Sequence, residues 1–159
     1  MRPEDLPLRH RLLIAAYRWR VPAPLPASRL ARPVHQARVA LVTTAGLVPP
    51  GAVPFDTSLR GGDPSFRIIA ADTPIGRLEE HHRSDAFDHE PMARDRNVAF
   101  PLDRLHDLAS AGAIGAVAPR HLSFMGSITA PGRLRDETAP AAAGLLADDA
   151  VDIALLAPV

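Results

Sequence analysis

Apolar residues in this chain gather in short runs divided by turn-forming residues, and the runs alternate between strand-like and helix-like spacing. Residues 38–44 (Arg-Val-Ala-Leu-Val-Thr-Thr) and 151–159 (Val-Asp-Ile-Ala-Leu-Leu-Ala-Pro-Val) are continuous and of strand length, so both predict strands of a parallel sheet, the second of them buried. Residues 65–70 predict another strand through Phe66, Ile68 and Ile69, and residues 97–101 a short one. Leu102, Leu105, Leu108 and Ala109 recur at helical spacing, with Pro101 suited to the helix start and Gly112 to its stop. Residues 113–118 then predict a strand or tight connector, and residues 139–146 an Ala-rich helix that an Asp148-Asp149 turn joins to the last run. Strands alternating with helices in this way predict an α/β fold with a partly parallel sheet and flanking helices, Rossmann-like or flavodoxin-like. A strand such as 151–159 is ordinarily followed by a loop and a covering helix, so the fold is expected to be incomplete at that end. An exposed apolar patch, with aggregation or pairing to a partner, is the expected result.

Ahead of the first strand, Leu6, Leu8, Leu12, Leu13, Ala16 and Tyr17 have roughly helical spacing, and Pro22, Pro24, Pro26 and Pro33 then forbid a regular element. Residues 1–35 are therefore expected to form a helix and a Pro-rich arm, held by Tyr17 and Trp19, on a domain of residues 36–159. Composition narrows the function. With 47% hydrophobic residues, 23% charged and zero formal net charge, the chain has material for a core but no bulk electrostatic attraction to nucleic acid or a membrane surface. No apolar run approaches the roughly 18 residues of a membrane span, and the N-terminus lacks the pattern of a secretory signal, so a cytoplasmic address is expected. There is no cysteine and no lysine: all 18 basic residues are arginine. That removes a thiol nucleophile, a thiolate metal site, a lysine Schiff base and a P-loop lysine.

Two stretches carry candidate chemistry. The first strand runs into Thr43-Thr44-Ala45-Gly46, where hydroxyls and bare backbone N–H groups suit a ligand at a strand's carboxyl end, although no Gly-x-Gly-x-x-Gly follows. Residues 79–97 collect His81, His82 and His89 with Asp85, Asp88, Glu90, Asp95 and Asn97. Imidazoles near carboxylates suit acid/base work, but no zinc-ligand spacing is present, and a solvated charged loop is the plainer alternative. His121, past an apolar run, is either a functional side chain or one satisfied inside the core.

Taken in order, residues 38–46, Pro54-Phe55-Asp56, 62–67, 81–89, 95–101, 112–115, His121-Leu122-Ser123-Phe124-Met125-Gly126 and 151–159 resemble one family. It is the selenoprotein B component of glycine, sarcosine and betaine reductases, with the related D-proline reductase subunit. The resemblance implies a selenocysteine immediately after Val159, encoded by UGA, so that a reading ending there stops ahead of the nucleophile. A short protein in its own right and a deliberately shortened chain are the alternatives. It also implies a selenium attack that expels an amine from a small amine or amino-acid substrate, a pyruvoyl group on a partner subunit, and a further component that resolves the selenium adduct. Of this chain's residues it implies substrate orientation by Asp88 or Asp95, proton delivery by His82, His89 or His121, and a pocket shared with Thr43, Thr44, Gly46, Asn97 and Met125. No cofactor or metal is expected in the chain itself. Two other classes compete: a non-catalytic small-molecule binding or subunit-interaction module, and a metal-dependent hydrolase built on residues 81–97.

Overall fold

A computed structural model of the chain describes residues 7–16, 28–84 and 88–159. The Pro-rich arm with Tyr17 and Trp19 lies outside them, as do residues 85–87 of the polar cluster. The leading helix forms as α1 (Leu8–Ala16), but Leu8 and Leu12 on it stand exposed and are not packed as expected.

The sheet is organised about β1 (Arg38–Thr43). Along one of its edges β5 (Ala116–Val117) and β6 (Arg120–Phe124) follow one another, both parallel to it, with Arg38 opposite Ala116 and Thr43 opposite Ser123. Along the other edge β7 (Ile153–Ala157) pairs in parallel over the whole of its length, from Val39 opposite Ile153 to Thr43 opposite Ala157. On the outer side of β6, β3 (Phe66–Ala70) runs antiparallel. The fold is thus α/β, with a mixed and mostly parallel sheet. A separate two-stranded ribbon joins β2 (Leu47–Val48) to β4 (Glu79–Glu80), with Leu47 opposite Glu80.

Alternation along the strands separates two cores. Val39, Leu41 and Ile69 face one side, where α2 (His89–Arg94), Phe100 and α3 (Leu102–Ser110) cover them. Leu122 and Phe124 face the other, against Ala142 and Leu146 of α4 (Ala139–Asp148). In α3 Leu102 and Leu105 are buried, Leu108 turns outward, and Gly112 ends the helix at φ +70. The entry to β7 is pinned by the acidic turn. Arg120 makes a two-pronged bond to Asp149, and Asp152 accepts from the Arg38 backbone N–H at 2.8 Å while pairing with Arg32.

Two expectations need correction. Residues 97–101 are not a strand, because the Asp95 carboxylate accepts from Asn97 N–H at 2.9 Å and caps a 3-10 turn, Arg96–Val98, that swings Phe100 into the core. The terminal strand is parallel as expected but not buried: among the described residues no strand pairs with its outer edge, and Leu155 and Leu156 are 45% and 71% exposed. An unpaired edge flanked by apolar side chains invites association. Leu156→Glu is therefore expected to increase the monomeric fraction in concentrated solution, measured by light scattering. Unchanged association would show that some other surface drives it.

Candidate functional site

The carboxyl ends of β1, β6 and β7 converge on a cleft of about 370 Å³. Its walls are apolar, from Val42, Phe124, Ile128, Leu134 and Leu156, and Thr44 supplies its polar side chain. Threonine chemistry ties the strand ends together. Thr43 Oγ1 donates to the Ala157 carbonyl at 3.2 Å and accepts from Ala45 N–H at 3.1 Å. Thr44 N–H donates to the same carbonyl at 3.3 Å, and Thr44 Oγ1 accepts from Val159 N–H at 3.0 Å.

Gly46 brings the polar cluster to this place. Its N–H donates to the Phe124 carbonyl and its own carbonyl accepts from His81 N–H, both at 2.8 Å, so the segment leaving β4 is stitched across the ends of β1 and β6. The approach is close: a Cβ on Gly46, at φ +65, would stand 2.9 Å from the His81 carbonyl carbon. His82 consequently packs behind Gly126, a residue of the cleft lining, its Nε2 buried and only 2.9 Å from where a Cβ on Gly126 would be. His82 Nδ1 accepts from Ser84 N–H at 3.1 Å. Burial lowers the His82 pKa first of all and the nearby His89 lowers it further, while Glu80 and the Ser84 backbone oppose them. His89 reaches the Glu80 carboxylate through Nδ1 and the Ser84 carbonyl through Nε2, and the two imidazoles meet edge-on at 6.1 Å.

The structure therefore brings Thr43, Thr44, Gly46, His82 and His89 together and gives the other expected residues different work. Asp88 is the exposed cap of α2, accepting from Glu90 N–H at 3.1 Å. Asp95 and Asn97 form a capping cluster with Asp103. Met125 is fully buried against Val48 and Phe55. His121 sits inside the sheet, fully buried, its ring edge-on to Phe100. The sheet ladder breaks at Ala118-Pro119, between β5 and β6, and there His121 Nδ1 accepts from Leu41 N–H at 2.9 Å. Burial, helped by His106 and opposed by Asp149, pulls its pKa down to about 4, so the ring is neutral at physiological pH. Glu80 and the Ser84 backbone support His82 and His89; both fall in the polar stretch of residues 79–97, but neither is singled out within it. What sets Glu80 apart is its pairing opposite the residue that follows Gly46, a contact between distant segments that spacing along the chain does not show.

Among the described residues no group of three His, Asp or Glu side chains is arranged to hold a metal ion. None of the described helices is long and apolar enough to cross a membrane.

Residues 17–158 match the family model described as glycine/sarcosine/betaine reductase selenoprotein B. The chain is 35% identical over 118 residues to D-proline reductase subunit gamma of Acetoanaerobium sticklandii, a match covering 74% of this chain and 47% of that protein. It thus spans about half the length of that relative. No solved structure matches it.

Proposed function

We propose, from the premise that this chain belongs to the glycine/sarcosine/betaine reductase selenoprotein B family, that it is the front part of a selenocysteine-dependent reductase subunit. Such a subunit cleaves the C–N bond of a small amine or amino acid, of which glycine, sarcosine, betaine and D-proline are the candidates. The selenocysteine is expected directly after Val159, with a pyruvoyl group on a partner subunit and a separate component to resolve the selenium adduct. A selenol ionises more readily than a thiol and would supply an anionic nucleophile at neutral pH. With no cysteine to stand in for it, the chain alone is expected to be inactive.

The observation that carries this reading is the hydrogen bond from Val159 N–H to Thr44 Oγ1, made where the parallel strand ends meet the apolar cleft. In open α/β sheets ligands bind beyond the carboxyl ends of the strands. Thr43 and Thr44 fix the backbone on which the reactive residue would follow. The cleft walls keep water from a reacting carbon, and His82, packed behind Gly126, is placed to support proton delivery to the departing amine by orienting an N–H toward it. Its lowered pKa keeps the ring neutral, with one N–H to offer as a hydrogen bond.

The test is the messenger sequence beyond the Val159 codon, followed by selenium labelling of the native protein. A UGA codon, a continuing homologous frame and incorporated selenium are expected. A UAA or UAG codon with no such frame would overturn the reading and leave a small-molecule binding module, which the same cleft would serve.

A further inference from the structure

The residues behind His82 form a connected chain of hydrogen bonds. Glu80 is anchored through its backbone in β4 opposite Leu47, its side chain only 17% exposed, and its carboxylate bonds to His89 Nδ1. The other nitrogen of His89 faces the Ser84 carbonyl at 3.1 Å, and Ser84 N–H donates to His82 Nδ1 at 3.1 Å. Counting donors along this path fixes the protons. A carboxylate and a carbonyl only accept, so both nitrogens of His89 donate. A backbone N–H only donates, so His82 Nδ1 carries no proton and the ring's proton sits on Nε2, the nitrogen that faces Gly126 behind the cleft wall.

We propose that Glu80 is a positioning residue for His82, acting through His89 and the Ser84 backbone to hold a single ring orientation and a single tautomer behind Gly126 of the cleft. Glu80 touches no reacting atom in this scheme. It locks His89, His89 holds the Ser84 carbonyl, and the turn so fixed aims the Ser84 N–H at His82. Because β2 begins one residue after Gly46, the pairing of β4 with it ties this support directly to the strand end that forms the cleft. The proposal rests on the reading of His82 as the residue whose N–H supports the departing amine.

Its test is nuclear magnetic resonance on the 159-residue chain, which needs no turnover. The wild type is expected to show His82 Nδ1 as a hydrogen-bonded acceptor and a Ser84 amide protected from exchange. Glu80→Ala should speed exchange of that amide by about tenfold or more and release His82 Nδ1. Glu80→Gln, whose amide oxygen still accepts from His89, should restore both, and Glu79→Ala, at the neighbouring exposed position, should change neither. If Glu80→Ala does not fold, His89→Phe makes the same test. An unprotected Ser84 amide in the wild type, or protection that survives Glu80→Ala or His89→Phe, would overturn the proposal. In the selenium-bearing protein, Glu80→Ala should lower kcat by about tenfold or more with KM little changed, as loss of a positioned hydrogen-bond donor would. If His82→Phe leaves kcat intact while the resonance result holds, the support network stands and the assigned role of His82 fails.

Discussion

Gly126→Ala should be among the most damaging single-methyl changes in the protein, lowering its stability by about 3 kcal/mol and its melting temperature by roughly 10 °C. Gly126 has φ +73, where any side chain is strained by about 1 kcal/mol or more. Its Cβ would also stand 2.6 Å from the Thr44 carbonyl oxygen and 2.9 Å from His82 Nε2. The first of these is backbone held by the sheet, so it cannot yield without disturbing β1. The second is the site histidine, which must move out. Gly132→Ala is the control, since nothing lies within 4 Å of its added methyl and its φ is not positive. A circular-dichroism melt compares the two. A Gly126→Ala protein within 1 °C of wild type would mean that the strand ends do not meet as closely as described.

Acid should weaken the protein well before its carboxylates are protonated, because His121 must lose its place in the sheet to gain a proton. The unfolded ring titrates near 6.5 and the folded one at about 4. Between those values the unfolded chain binds more protons, so stability rises with pH in this window, is fully present above 6.5, and is lost as pH falls toward 4. The size is about 3 kcal/mol. His82, whose pKa burial also lowers, acts in the same direction. Urea unfolding at a series of pH values measures the slope. His121→Leu should flatten it while costing about 1–3 kcal/mol at neutral pH, since Leu41 N–H is left without an acceptor. A His121→Leu protein with the wild-type slope would assign the acid sensitivity elsewhere.

Local pattern was enough to place the first strand, the strand through Phe66 to Ala70, the helix from Leu102, the helix from Ala139 and the parallel terminal strand. Each depends on spacing within a few residues. Pairings between distant segments were not legible. The ribbon of Leu47–Val48 with Glu79–Glu80 is too short to leave a periodic trace, yet it is what carries His82 to the strand ends. The acidic residues of the cluster show a different limit. Asp88 and Asp95 looked like acid/base candidates, but a carboxylate that caps an N–H two residues later has the same composition as one that orients a substrate. Met125 and His121 were drawn toward the site by their place near a strand end, whereas strand alternation and the break at Pro119 turn them inward. The family resemblance was legible because many short blocks kept their order, not because any single one was diagnostic.

The register of β1 also governs how this protein must be made. Every strand that pairs with residues 38–43 begins at Ala116 or later, and the partner with the longest register, β7, comes after the other two. On a ribosome, residues 38–43 therefore wait while about seventy further residues are made before any strand that pairs with them emerges. Chaperone capture of nascent chains, and slow refolding after dilution from denaturant, follow from that delay.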